Sequence, residues 1–268
     1  MKFLVLCACA QLVGAAQAQG TVSRADQEEF LRKGVISGQR ELFPGALEMR
    51  ATLVDGTRKH DALVLIVEPG DASRRNIFRL NIAAYLLDQA LGLNLVEPVV
   101  ERTLNGQPAA ITWWADGFAM NEMERRTKGI EPPDADGWNK QMQAVRLFDE
   151  LISNSYRSMR PEFLLTTLWD NLLITRDWKI SLIDHKAAFR SARQLDDPAS
   201  LVQVDRALFG KLRGLNIERL RAYLTEEELE GLEARRRLLV RHFDERIASR
   251  GEAAVLYDLP GHALREVK

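Results

Sequence analysis

The sequence predicts an α+β protein of two parts, with strands dominating up to about residue 116 and helices dominating after it. The strand signals are short apolar runs separated by the turn pairs Asp55-Gly56 and Asn105-Gly106, which favour tight hairpin turns. The helix signals are long windows in which apolar residues recur every three or four positions, the spacing of an amphipathic helix. The chain therefore begins as a small β-rich part and continues as a larger helical part.

The β-rich part is predicted to run β-β-β-α-β-β after one opening helix. Its predicted elements are a helix at 25–34, strands at 34–37, 47–54 and 62–67, a helix at 76–91, and strands at 96–102 and 109–114. The helix at 76–91 carries one apolar face and is followed by Gly92, a common helix terminator. This order predicts a mixed unit of five strands and one packed helix.

The helical part opens with polar residues 120–128, which predict a short helix or a flap. The remaining helices are predicted at 138–152, 201–210, 216–223 and 226–249. Thr225 and Glu228 have the spacing of a capping box at the start of the last helix, and Gly251 ends it. Within that helix, residues 235–237 are three arginines, and we expect them to form one solvated face.

One hairpin interrupts the helical part, within "WDNLLITRDWKISLIDHKAAFR", residues 169–190. Two apolar runs flank the polar turn at 176–179, so that Asn171 begins one strand and Asp184 ends the other. Two antiparallel strands of this length bring both side chains to the open end of the hairpin. Amide and carboxylate oxygens are ligands for hard divalent cations, so the pair is a candidate metal site. The alternative is that both residues are plain turn-formers at strand ends.

The overall charge excludes one class of partner. The chain has 37 basic and 38 acidic side chains and a net charge of −1, so it carries no basic field that would favour nucleic acid. After the N-terminal segment, no apolar run approaches 18 residues, so no transmembrane segment is predicted in the mature chain.

The N-terminal segment has the pattern of a secretory signal peptide. Lys2 supplies a positive charge, residues 3–13 are apolar, and Ala16-Gln17-Ala18 is a small-x-small cleavage site. We therefore expect residues 1–18 to be removed and the protein to be exported, either periplasmic or secreted; a buried N-terminal helix is the alternative. Both cysteines, Cys7 and Cys9, lie in this segment, so the mature chain is expected to need no disulfide and to have no cysteine chemistry.

Five segments carry a resemblance to a known family. They are "FRLNIAAYLLDQALGLNLVEPVVER", "ITWW", "QMQAVRLFDELISN", "NLLITRDWKISLIDHKAAFR" and "RGEAAVLYDLP". Together these segments resemble a bacterial family related to the phosphatidylinositol 3/4-kinase-like and secretory-pathway casein-kinase group, over roughly residues 30–260.

The resemblance implies a two-lobed protein-kinase-like domain, with a β-rich N-lobe at 19–116 and a helical C-lobe at 117–268. It implies ATP with Mg²⁺ or Mn²⁺ as cofactor, and Asn171 and Asp184 as the metal-binding pair, Asp184 being also catalytic. Trp114 and Ala115 would lie at the hinge that meets the adenine. The phosphate acceptor would be a protein or a small molecule that the sequence does not identify.

The chain departs from the family pattern at several polar positions. Leu65 stands where the strand lysine is expected, Asn81 where its helical glutamate partner is expected, and Tyr156 where the catalytic aspartate is expected. Asp170 is a candidate substitute base, and it would otherwise cap a turn. An inserted segment at 158–169 separates the expected catalytic loop from Asn171.

These departures leave three functions open. The first is a degenerate kinase-like protein with a residual metal and nucleotide cleft and weak or absent phosphoryl transfer. The second is an active atypical ATP-dependent kinase that uses Asp184 and Asn171 for metal. The third is an exported, non-catalytic binding module.

Overall fold

The computed structural model describes residues 22–154 and 171–259. Residues 22–116, the sheet half, form one five-stranded antiparallel sheet in the order β1-β2-β3-β5-β4. The strands are β1 Val35–Glu41, β2 Met49–Asp55, β3 Arg58–Ile66, β4 Val99–Leu104 and β5 Gln107–Trp113. The predicted mixture of strands and helices is confirmed.

Two of the sheet's connections follow from local turn chemistry. Gly56, between β2 and β3, has φ of 60°, and Asn105 and Gly106, between β4 and β5, have φ of 51° and 78°. These left-handed conformations are easiest for glycine and asparagine. Both predicted hairpins therefore form where their turn pairs occur.

Helices cover the two faces of this sheet. Helix α1, Arg24–Lys33, packs Phe30 and Leu31 against one face, where they form a cluster with Val64 and Ile111. Helix α2, Ala72–Leu91, connects β3 to β4 and packs on the side to which Leu65 points. Because side chains alternate along a strand, Val64 and Leu65 serve opposite faces.

The helical half comprises residues 117–154 and 171–259. Its helices are α3 Glu122–Thr127, α4 Ala135–Ile152, α5 Arg206–Arg213, α6 Glu226–Arg250 and α7 Glu252–Val255, with 3₁₀ turns at Pro198–Ser200 and Glu218–Ala222. The capping box of Thr225 and Glu228 is present at the start of α6, and Gly251 ends the helix. The boundaries predicted for this longest helix are confirmed to within one residue.

The helical half contains more strand than the sequence predicted. Strand β6, Phe118–Asn121, pairs with β7, Leu172–Thr175, which pairs with β8, Ile180–Leu182. A short parallel pair joins β9, Val204–Asp205, to β10, Leu256–Tyr257. The prediction of only a helix or flap at 120–128 was therefore incomplete, because the segment starts with the last residues of a strand before α3 begins.

The helix predicted at 201–210 begins later than expected, for a local reason. Asp205 is the N-cap of α5, and its side chain accepts a hydrogen bond from the backbone N–H of Leu208. The same carboxylate accepts from the backbone N–H of Leu259 at 2.9 Å. Asp205 thus ends the extended segment and starts the helix.

One hydrophobic cluster joins the two halves, extending from α2 through β7, β8 and α4 to α6. Arg235 of α6 is fully buried beside it, and its guanidinium donates to the carbonyl oxygens of Leu151, Arg190 and Ala192. The expectation that the three arginines share a solvated face was wrong for Arg235. Within the described ranges, no helix is long and apolar enough to cross a membrane.

Candidate functional site

A cavity of about 780 Å³ lies where the sheet half meets the helical half. Its sheet wall comes from β3, β5 and the first turns of α2, and its hairpin wall comes from β7, β8 and the segment that follows β8. The connection between the halves, including Trp114 and Ala115, closes one side. We call this cavity the cleft.

The β7–β8 hairpin places Asn171 and Asp184 together in the cleft. Leu172 pairs with Leu182 across the hairpin, and the backbone N–H of Ile183 donates to the Asn171 carbonyl at 3.1 Å. The flanking residues therefore leave the hairpin at the same end. There the Asn171 Nδ2 lies 3.5 Å from Asp184 Oδ2, so the two predicted side chains are neighbours.

Asp184 has two features that the sequence did not indicate. Its backbone is left-handed, with φ of 57°, a conformation that aspartate tolerates better than most residues. Its carboxylate also accepts a bond from Lys186 Nζ at 2.7 Å. A cation that bound Asp184 would therefore compete with an ammonium group for the same oxygen.

Asn171 and Asp184 fit a divalent cation that takes its remaining ligands from elsewhere. Among the described residues, no group of three or more His, Cys, Asp or Glu side chains could hold a metal ion. Mg²⁺ is commonly held by one or two carboxylates together with water and phosphate oxygens. The pair is thus suited to a cation that arrives with a phosphate-containing ligand.

Leu65 and Asn81, where the sequence resemblance implies a lysine and its glutamate partner, are both uncharged. Leu65 is only 2% exposed and lies in the hydrophobic cluster with α2. Asn81, on α2, uses its side-chain oxygen to accept the backbone N–H of His185 at 3.2 Å. The two positions therefore serve packing and backbone support of the segment after Asp184.

Aromatic side chains lie at the connection between the halves, and each of two indoles already has one face covered. The Trp113 ring stacks on His60 with centroids 3.5 Å apart. The Arg50 guanidinium lies 4.2 Å from the Trp114 ring centroid. Trp114 and Ala115 line the cleft, and a planar ligand could meet only the uncovered faces of the two indoles.

Two acidic residues of the cleft were not found from the sequence. Glu48, just before β2, is partly buried, and this burial together with the nearby Asp184 carboxylate raises its pKa to about 7. Glu97 accepts a hydrogen bond from Ser181 Oγ at 2.7 Å, and burial raises its pKa as well. Their proximity to the hairpin depends on tertiary structure, and no local motif marks them.

The entrance of the cleft is apolar. Phe43 is 64% exposed, Phe118 43%, Leu42 39% and Leu47 38%, and all four line the cleft. We call these four residues the apolar rim. They are four of the seven large hydrophobic residues that are exposed in the described part of the chain, so exposure of this kind is concentrated at one place.

A second cavity, of about 490 Å³, lies at the turn end of the same hairpin. Trp138 and Trp178 contribute to its lining, with their rings edge-to-face at 5.7 Å. None of the site residues predicted from the sequence lines it. The predicted chemistry therefore gathers at the open end of the hairpin.

Several predicted features lie outside the described residues. They are the signal peptide at 1–18, Tyr156, the substitute base Asp170 and the inserted segment 158–169. The cleft is thus defined by Asn171, Asp184 and their described neighbours. No model of a known protein family matches the chain, and no curated protein is found to be similar to it.

Proposed function

We propose that this protein is an exported, kinase-like protein whose cleft binds a small ligand and transfers phosphoryl groups weakly or not at all. The layout supports this proposal: a five-stranded sheet with one helix between β3 and β4 precedes a helical half whose hairpin faces the cleft. In protein kinases a strand lysine, its glutamate partner and a metal-binding pair surround the nucleotide in a cleft of this kind.

The observation that carries the proposal is that the two walls of the cleft present different functional groups. The hairpin wall holds Asn171 and Asp184 as neighbours, whereas Leu65, where the resemblance implies the phosphate-binding lysine, is buried behind the sheet wall. Phosphoryl transfer requires positioning and charge neutralisation of the phosphates. Among its described lining residues, the cleft has groups that suit a cation, and its one lysine, Lys186, is paired with Asp184.

Asn171 and Asp184 would hold Mg²⁺ or Mn²⁺ when ATP is present. Such a cation neutralises charge on the phosphate oxygens. Trp114 and Ala115 would contact the base, and Asp184 or Asp170 would be the remaining acidic groups for catalysis. An active atypical kinase is the second candidate, and the closeness of Asn171 to Asp184 favours it.

Export is part of the proposal because of the charged, apolar and small-x-small order of residues 1–18. Mature protein from the native host is expected to begin at Gln19. Mass spectrometry of its N-terminal peptide checks this expectation, and abundant protein that retains Met1 would contradict it.

Nucleotide binding is tested by thermal unfolding in ATP with Mn²⁺. Ligand at about ten times its Kd stabilises the folded protein by about 1.4 kcal/mol, which raises the Tm of a chain of this size by roughly 2–5 °C. The shift is expected to need both ATP and Mn²⁺ and to disappear in Asp184→Ala.

Asp177→Ala is the matched control for this test. Asp177 lies at the turn of the same hairpin and pairs with Lys179 at 2.8 Å, as Asp184 pairs with Lys186 at 2.7 Å. The control should keep the shift. A shift that persists in Asp184→Ala, or that is lost equally in both variants, would contradict metal binding in the cleft.

A further inference from the structure

The apolar rim is held in place by a defined turn. Pro44 and Gly45 occupy the centre of a β-turn in which the Ala46 N–H donates to the Phe43 carbonyl at 3.0 Å, and Gly45 has φ of 80°. Proline followed by a left-handed glycine is the signature of a type II turn. Phe43 is therefore presented to solvent by a locally specified structure.

The apolar surface continues from the rim into the cleft. The inner lining includes a set of aliphatic side chains from both walls: Leu63, Ile77, Val96, Val99, Leu173, Leu182 and Ile183. Contiguous exposed apolar surface of this kind typically marks a binding site. A ligand that fits the whole cleft would thus have an apolar body reaching the rim.

The charges of the lining oppose a strongly anionic occupant. Among the described lining residues, Glu48, Glu97 and Asp184 are carboxylates, and Lys186 is the one lysine or arginine. Lys186 is already paired with Asp184. A polyphosphate without its cations would gain little here because the one described lysine of the lining is already paired, whereas a positively charged group would be attracted by the carboxylates and would favour their ionised form.

Glu48 is the carboxylate best placed to meet such a group. It follows the rim loop directly and lines the cleft together with Asp184. Burial and the Asp184 carboxylate disfavour its ionised form, and the positive charge of Lys186 offsets this only in part. A cationic head beside Glu48 would relieve the repulsion between the two carboxylates.

We infer that, besides a nucleotide, the cleft takes an amphipathic small molecule, with an apolar body against the rim of Leu42, Phe43, Leu47 and Phe118 and a cationic head at Glu48. This inference rests on the proposed function, in that the cleft is a ligand site. It goes beyond that proposal by assigning the class of ligand and a recognition role to Glu48.

Three probes with the same ten-carbon chain test the inference: decyltrimethylammonium, decyl maltoside and decyl sulfate, each below its micelle concentration. Isothermal titration measures their affinity for the purified protein. We expect the cationic probe to bind about tenfold or more tighter than the anionic one, with the neutral probe between them, because one carboxylate changes from attraction to repulsion. Equal affinities, or preference for decyl sulfate, would overturn the inference.

Two variants test separately how the cleft recognises the cationic head and the apolar body of the ligand. Glu48→Gln keeps the shape of the side chain and is expected to weaken the cationic probe about five- to tenfold while leaving the neutral probe unchanged. Phe43→Ser is expected to weaken all three probes by the same factor of roughly five, since it removes shared apolar contact. Glu41→Gln and Val35→Ser are the matched controls, at exposed residues of β1 outside the cleft lining. Neither substitution should change the affinity of any of the three probes.

The outcomes distinguish this inference from the proposed function. If ATP with Mn²⁺ shifts the Tm in an Asp184-dependent manner and none of the three probes binds, the inference is wrong and the proposed function stands. If the probes bind as expected but Glu48→Gln leaves the charge preference intact, the role of Glu48 is wrong. Rapid phosphoryl transfer would contradict the proposed function. The probe affinities would still support or overturn the inference independently.

Discussion

The two walls of the cleft have different chemistry although they face the same space. The hairpin wall presents Asn171 and Asp184 side by side at the end of two paired strands. The sheet wall presents Leu63 and Ile77 beside the uncharged polar side chains of Asn76 and Asn81, and Leu65 lies behind it, buried against α2. The hairpin wall therefore has a carboxylate and an amide that suit a cation, whereas the sheet wall has neutral side chains.

Cation binding and phosphoryl transfer depend on different parts of this cavity. A cation site needs a few oxygens within one coordination shell, which one hairpin supplies through its local pairing. A polyphosphate is held by a buried positive charge. That charge needs an oppositely charged partner, because an isolated buried charge is strongly unfavourable. Leu65 and Asn81 cannot form such a pair, so the sheet side of the cleft cannot hold phosphates in this way.

The largest expected effect comes from placing a charge at Leu65, in the core directly behind the sheet wall. Leu65→Lys should lower the free energy of unfolding by about 3 kcal/mol or more, because the ammonium would be buried without a carboxylate partner. Urea unfolding at pH 7 measures the loss. The loss is expected to shrink as the pH rises towards the usual lysine pKa, since the neutral amine is easier to bury.

Leu65→Met is the control for that substitution, and it should cost less than about 1.5 kcal/mol because it conserves volume and polarity. A loss below about 1 kcal/mol for Leu65→Lys would contradict the description of the core behind this wall. It would mean that a partner or water reaches the position, as in an active kinase cleft.

An intermediate effect is expected from pH, through Glu48 at the boundary of the two walls. The pKa of Glu48 is about 7 in the folded protein, against a usual value of 4.5. The folded state therefore binds the proton more tightly, and its stability should fall as the pH rises from about 4.5 to 7. This group's share is at most about 3 kcal/mol, at 1.36 kcal/mol for each unit of pKa shift.

The difference in stability between the wild type and Glu48→Gln isolates this share. Urea unfolding between pH 4 and 8 should show the wild type losing stability relative to the variant as the pH rises. Glu41→Gln controls for the general loss of one negative charge. A difference that is constant across this range, or that has the opposite sign, would show that Glu48 is not destabilised by burial and by Asp184.

The smallest expected effect concerns the hairpin wall itself. Lys186 is 57% exposed and its Nζ lies 2.7 Å from Asp184 Oδ2, so it competes weakly with a bound cation. Lys186→Ala should raise the affinity for Mn²⁺, measured by electron paramagnetic resonance at saturating ATP, by about two- to fivefold, as expected for an exposed ion pair. Lys179→Ala at the hairpin turn is the matched control. A drop in affinity would indicate that Lys186 binds the phosphates, which would favour the active-kinase alternative.

Local chemistry accounts for the parts of the fold that the sequence could predict. The turns at Asp55-Gly56 and Asn105-Gly106 and the capping box at Thr225 each depend on residues a few positions apart. The approach of Asn171 to Asp184 follows from hairpin pairing alone. Such features need no knowledge of which distant segments pack together.

The missed features depend on distant segments. Strand β6 has four residues, and its partner β7 lies far along the chain, so neither its length nor its pattern marks it. Arg235 is buried because three carbonyl oxygens from two other segments converge on it. Glu48 has a raised pKa because the fold brings Asp184 near it. Spacing along the sequence contains none of this information.

Phosphoryl transfer by purified protein comprising residues 19–268 tests the central claim most directly. The protein would be incubated with radiolabelled ATP, Mn²⁺ and a mixed panel of protein and small-molecule acceptors, beside Asp184→Ala and the control Asp177→Ala. Typical kinases turn over at about 1–100 s⁻¹, and loss of an oriented base alone lowers the rate by about 10²–10⁴-fold. We expect transfer at least 100-fold below the typical kinase range, or none, while ATP with Mn²⁺ still raises the Tm. Turnover near 1 s⁻¹ that vanishes in Asp184→Ala and persists in Asp177→Ala would contradict the account.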